Sequence, residues 1–110
     1  MSAGRGYDVL LQLRGTDADA DRALPDLDHV PAPWEANAQA TCECLSWRGT
    51  LDNLERRNAE DALGESTYAA LPVPTRSVVV TAHELLDRGV ISEDELSARM
   101  DEVRRRFTSA

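Results

Sequence analysis

The residues of this 110-residue chain that could do chemistry fall into four groups, widely separated along the sequence. Cys42-Glu43-Cys44 places two thiols at i and i+2. On a helix they point about 200° apart, so both can grip one ion only if the helix breaks. No further cysteine exists to complete a tetrahedral site, and core packing is the expectation for Cys42. His29 and His83 stand far apart with no nucleophile pattern beside them, and His83 is expected to be a surface or partly packed side chain. Asp17, Asp19 and Asp21 alternate like the start of a calcium loop. Arg22 occupies the position that needs glycine, however, and no glutamate closes the loop, which leaves a solvated acidic segment. Arg56 and Arg57 sit mid-helix between Glu55 and Glu60. Taken by itself, this spacing describes an exposed helix face with an i,i+4 pair between Arg56 and Glu60.

Composition narrows the field. With 20 acidic and 12 basic residues the net charge is −8, whereas a phosphate-backbone binder needs a basic stripe, so no nucleic-acid partner is expected. Arg104-Arg105-Arg106 is the only basic cluster and suits the negative end of a helix dipole. No apolar run approaches the ~20 residues that span a bilayer, so no membrane partner is expected either. Residues 1–6 lack the pattern of a secretory signal, and Cys42 and Cys44 are too close for a structural disulfide; the expected compartment is the cytoplasm. A core built mainly of Ala, Leu and Val, with Phe107 the only phenylalanine, is thin for an enzyme acting alone. A partner covering part of the surface would explain it.

The elements that must position these residues are helices. Residues 1–32 read as an extended, acidic and proline-containing arm, with one apolar stretch, Tyr7 to Leu13, as a strand or helical turn. From 33 to 110 the spacing predicts an all-α domain of about four helices. The first runs from Trp34 to Trp47, with Ala38, Cys42 and Leu45 inward and Gly49 as the left-handed stop. The second, Leu51 to Leu63, has Leu51, Leu54 and Asn58 on one side and ends at Gly64. A loop over 65–74 containing Pro72 and Pro74 follows. The third, Thr75 to Arg88, carries Val78, Ala82, Leu85 and Leu86 on a stripe and closes at Gly89. Ser92 and Glu95 form a capping box for the last helix, along which Leu96, Met100, Val103 and Phe107 recur.

Four segments in order resemble the β-subunit family of nitrile hydratases and thiocyanate hydrolases. Ala40-Thr41-Cys42-Glu43-Cys44-Leu45-Ser46-Trp47-Arg48-Gly49 is similar to the segment before the active-site helix in thiocyanate hydrolase. Gly49 to Glu60 resembles the nitrile hydratase pattern Gly-Trp-x-x-x-x-x-Arg-x-x-x-Glu, with Arg56 and Glu60 at the Arg and Glu places. Tyr68-Ala69-Ala70-Leu71-Pro72 and Ala82-His83-Glu84-Leu85-Leu86-Asp87-Arg88-Gly89-Val90-Ile91 resemble the loop and helix ending the N-terminal region of that subunit.

The resemblance implies a heteromeric enzyme in which this chain binds no metal and is not active alone. A separate, Cys-rich α-type chain would hold cobalt, or less favourably iron, with two thiolates oxidised to sulfinic and sulfenic acids. Arginines of the β subunit hydrogen-bond those oxygens, a task suited to a planar, permanently charged guanidinium. Arg56 takes the place of one such arginine, with Arg57 the fallback if the register slips by one. A usual β subunit is about twice as long, so a further small subunit is expected to supply its β-barrel half. Where the family has bulky pocket-lining aromatics, this chain has Val73, Pro74 and Ser77, which implies a wider substrate pocket. The expected function is a subunit of a cobalt-type nitrile hydratase, converting nitrile to amide. The alternatives are a thiocyanate hydrolase β subunit, a nitrile hydratase activator or metallochaperone-like helper, and a generic helical interaction domain.

Overall fold

The computed structural model describes residues 6–12, 30 and 32–108, and these form five helices and no strand. They are α1 (Asp8–Leu11), α2 (Pro33–Trp47), α3 (Asn53–Gly64), α4 (Val73–Asp87) and α5 (Glu93–Thr108). The all-α expectation holds, with four long helices and one extra turn. None of the helices is long and apolar enough to cross a membrane. Asp17, Asp19, Asp21, Arg22 and His29 lie outside the described residues.

Each long helix begins where the local chemistry favours a start. Pro33 opens α2, where its missing N–H costs nothing, and the Ala32 N–H donates to Glu35 Oε2 at 3.1 Å. Asp52 caps α3 by accepting from the Leu54 N–H at 3.0 Å. In α5 the expected capping box forms, with Ser92 N–H to Glu95 Oε1 at 2.9 Å and Glu95 N–H to Ser92 Oγ at 3.0 Å. Acidic residues fill its first turn, and Arg105 and Arg106 its last, in the sense the helix dipole favours. Gly49 and Gly89 follow α2 and α4 with φ of 73° and 71°, the left-handed conformation that closes a helix. Gly64 differs: it is the last residue of α3, and a Cβ there would meet Arg76 Cδ at 2.8 Å. Its smallness therefore makes room for Arg76, whose Nη2 donates to the carbonyls of Ala69 and Leu71 and braces the 65–71 turn. Pro72 and Pro74, expected in a loop, sit at the N-cap and in the first turn of α4.

The core is formed by α1, α3, α4 and the intervening turn: Tyr7, Val9, Leu10, Ala59, Leu63, Tyr68, Leu71, Val79, Val80 and Leu86. Leu96 and Met100 of α5 pack at its edge, whereas Phe107 is 81% exposed. The apolar stretch near the N-terminus is a helical turn that packs on the chain's own core, with Tyr7 Oη donating to Asp87 Oδ1 at 2.5 Å. The α2 stripe faces inward as expected, with Cys42 buried and Ala38 and Leu45 half-buried. Two other stripes do so only in part. Of the second stripe, Leu51 is buried just before α3, whereas Leu54 is 65% exposed and Asn58 is exposed, and Ala59 and Leu63 turn inward. In α4, Leu86 is buried and Ala82 and Leu85 are half-buried as expected, but Val78 is exposed, and Val79, Val80, Thr81, His83 and Glu84 are buried as well.

His83 overturns the expectation of a surface or partly packed side chain, because it is fully buried. Tyr7 and Tyr68 meet its ring edge to face, with centroids 5.0 and 5.6 Å away. Tyr68 Oη and His83 Nδ1 share a hydrogen bond of 2.7 Å, and Asp87 Oδ2 lies 3.6 Å from Nε2. A buried imidazole is tolerable when its nitrogens have such partners. All three partners lie elsewhere in the sequence or one helical turn away, so they draw a polar residue into the core.

Candidate functional site

Arg56 lies on α3 one turn after the Asp52 cap, on the side that packs towards α4. Its side chain is only 11% exposed, so the exposed helix face suggested by spacing alone does not describe it. The i,i+4 pair does form: Arg56 Nη1 donates to Glu60 Oε1 at 2.8 Å. The same carboxylate oxygen accepts from Ser77 Oγ of α4 at 2.6 Å. Glu60 therefore joins two residues that are 21 positions apart in sequence and had separate sequence-based assignments. Arg56 Nε is buried and has no hydrogen-bond partner among the described residues. Asn53 Oδ1, one turn earlier on α3, is likewise buried without a partner. Leaving a buried donor unpaired costs about 1–3 kcal/mol, more when it belongs to a charged group.

Beside this triad a cleft of about 190 Å³ opens between α2 and α4. Trp34, Glu35, Gln39 and Cys42 form one wall, and Pro74, Ser77 and Val78 the other. Two of the three expected pocket residues thus line it. Val73 does not; it is 68% exposed at the start of α4. Arg57 is exposed on α3 and has no part in the triad. The contribution of α2 to the cleft, through Trp34 and Cys42, was not expected from the sequence, which gave no sign that α2 and α4 meet there. The signal available was the i,i+4 spacing of Arg56 and Glu60, which fixes that pair but says nothing about Ser77.

The cysteines do not fit a shared ion. Cys42 is buried with Sγ 3.6 Å from Thr81 Oγ1, while Cys44 is exposed, so the two thiols diverge as their spacing requires. Among the described residues no group of three or more His, Cys, Asp or Glu could hold a metal.

At the far end of α4, Arg88 ties the elements together. Its Nη2 donates to Glu55 Oε2 of α3 at 2.6 Å, with Glu84 Oε1 at 3.9 Å. Chiefly through the Glu55 hydrogen bond, its already high pKa is raised further, so it remains a cation.

The sequence model described as nitrile hydratase beta subunit, N-terminal, matches residues 17–110. The chain belongs to the nitrile hydratase β-subunit family. As a member, it corresponds to the N-terminal part of that subunit. A relative in this family, thiocyanate hydrolase subunit beta from Thiobacillus thioparus, is 36% identical over 77 residues, which is 69% of this chain and 49% of that protein. The chain thus spans about half the length of the curated relative it matches. No solved structure matches it significantly.

Proposed function

We propose that this β-family chain is the helical, non-metal-binding subunit of a heteromeric nitrile hydratase, and that Arg56 is its main chemical contribution. The enzyme adds one water across the C≡N bond of a nitrile to give the amide. An α-type, Cys-rich partner holds the metal, cobalt in preference to iron, and a further small subunit supplies the β-barrel half. The observation that carries this reading is the state of Arg56. One arm of the guanidinium is fixed by Glu60, and its Nε–H is buried without a partner among the described residues. Movement of the side chain on assembly would let an oxyanion from another chain, such as an oxidised cysteine, satisfy that donor with a charge-assisted hydrogen bond. The cleft wall of Pro74 and Ser77 then forms part of the substrate pocket, and their small size favours large nitriles. Exposed apolar residues support burial against other subunits: Trp47 is 92% exposed, Phe107 81% and Leu54 65%. The free thiols of Cys42 and Cys44 are in keeping with a cytoplasmic complex.

The relationship to thiocyanate hydrolase subunit beta favours a second reading, in which the same subunit serves hydrolysis of thiocyanate. Both readings require the same test. The chain is coexpressed with the Cys-rich and barrel-type chains, and the purified complex is assayed with small nitriles, large nitriles and thiocyanate. Stable co-purification and turnover of large nitriles are expected. Preference for small nitriles would overturn the wide-pocket claim, and preference for thiocyanate would establish the second reading. Activity that persists after this chain is removed would make it a helper in metal loading rather than a subunit.

A further inference from the structure

The Arg56 side chain makes one hydrogen bond to the described residues, to Glu60 Oε1, so the direction of its guanidinium depends on how that carboxylate is held. Glu60 is 27% exposed and could rotate towards solvent. A single contact opposes this rotation from the facing helix: Ser77 Oγ donates to the same Oε1 at 2.6 Å. Ser77 lies half-buried within α4, and its backbone carbonyl accepts from Thr81 Oγ1 at 2.9 Å. Thr81 is in turn buried against Cys42 of α2. The Ser77 hydroxyl donates to Glu60, and the residue also lines the α2–α4 cleft.

We infer that Ser77 is a positioning residue that acts through Glu60 to hold the Arg56 guanidinium in its working orientation, in addition to being a wall of the pocket. This rests on the proposed role of Arg56. A serine at this place has two consequences. It removes bulk from the cleft, and it supplies the hydroxyl that clamps α3 to α4 next to the arginine. Because the cleft and the clamp share one side chain, whatever occupies the cleft bears on the residue that sets the arginine's direction. Positional errors near 1 Å at a reacting centre are enough to lower turnover without weakening substrate binding.

The test uses the assembled complex with Ser77→Ala, Ser77→Thr, Arg56→Lys and the Ser77→Ala/Arg56→Lys double variant, measuring kcat and KM for a nitrile. Ser77→Ala is expected to lower kcat about tenfold with KM unchanged to within about twofold, and Ser77→Thr to restore most of the loss. On the Arg56→Lys background Ser77→Ala should cost almost nothing more, since both changes disable the same device. Should Ser77→Ala fail to assemble, Ser77→Cys leaves a weaker donor on a slightly larger side chain and should lower kcat in the same direction by less, with the same loss of effect on the Arg56→Lys background. A normal kcat in Ser77→Ala, a change confined to KM, or a full additional loss on the Arg56→Lys background would each overturn the inference. A severe Arg56→Lys defect beside a silent Ser77→Ala would defeat this inference alone. A silent Arg56→Lys would defeat the reading beneath it as well.

Discussion

Buried polar contacts between distant residues decide most of what is particular to this chain. Tyr68 and His83 are the clearest pair, both fully buried and joined by a 2.7 Å hydrogen bond. Tyr68→Phe keeps the ring packing and removes that bond, so it should destabilise the chain by about 1–2 kcal/mol, seen as a lower urea midpoint with an unchanged m-value. Tyr7→Phe removes the bond to Asp87, which is only part-buried, and should cost less in the same measurement. These contacts also mark the limit of what the sequence makes legible. Arg56 and Glu60 could be paired from their spacing, because helical geometry places i and i+4 together. His83 could not be placed, because its burial depends on Tyr7 and Tyr68, which lie 76 and 15 residues earlier. Ser77 could be suggested as a pocket residue by family resemblance, but its bond to Glu60 crosses between helices and leaves no periodic trace.

At the scale of elements, the helix starts and stops follow from local rules, and local rules are visible in a sequence. Ser92 and Glu95 cap α5 as a capping box, and Gly49 and Gly89 end their helices with positive φ. Ser92→Ala should cost about 1 kcal/mol of stability, and Gly89→Ala about 1–2 kcal/mol. A Cβ at Gly89 meets nothing within 4 Å, so the second penalty is one of backbone conformation alone. Thermal denaturation checks both, and asparagine at 89 should recover part of the loss because it tolerates the left-handed region. Which face of a helix turns inward is less legible. The α4 stripe was expected through Val78, Ala82, Leu85 and Leu86; Leu86 is buried, but Val78 is exposed, and Thr81, His83 and Glu84 are buried as well. Their partners Cys42, Tyr68 and Arg88 make that burial favourable by satisfying polar groups that apolar periodicity counts as outward. In α3, Arg56 and Glu60 likewise turn towards α4, and Leu54 is left exposed.

Across the whole molecule, the N-terminal turn, the α3–α4 pair and the edge contributed by α5 share one core, and α2 lies against α3 and α4 with a single buried residue, Cys42. Burial of Tyr7, Val9 and Leu10 by α1 contributes several kcal/mol as an upper estimate. Removal of residues 1–12 should therefore shift the urea midpoint far more than any single substitution above. The lightly buried α2 turns Trp34 and Trp47 outward. The proposal that Arg56 presents its guanidinium to another subunit's oxidised metal centre rests on membership of the nitrile hydratase β-subunit family and on the Arg56–Glu60 pair. The most direct test is the kcat for nitrile hydration of the purified complex carrying Arg56→Lys, with assembly verified on the same sample. Lysine keeps the charge but lacks the planar donor array, so kcat should fall by roughly 10²-fold or more while the complex still forms. Unchanged turnover in an intact complex would contradict the account.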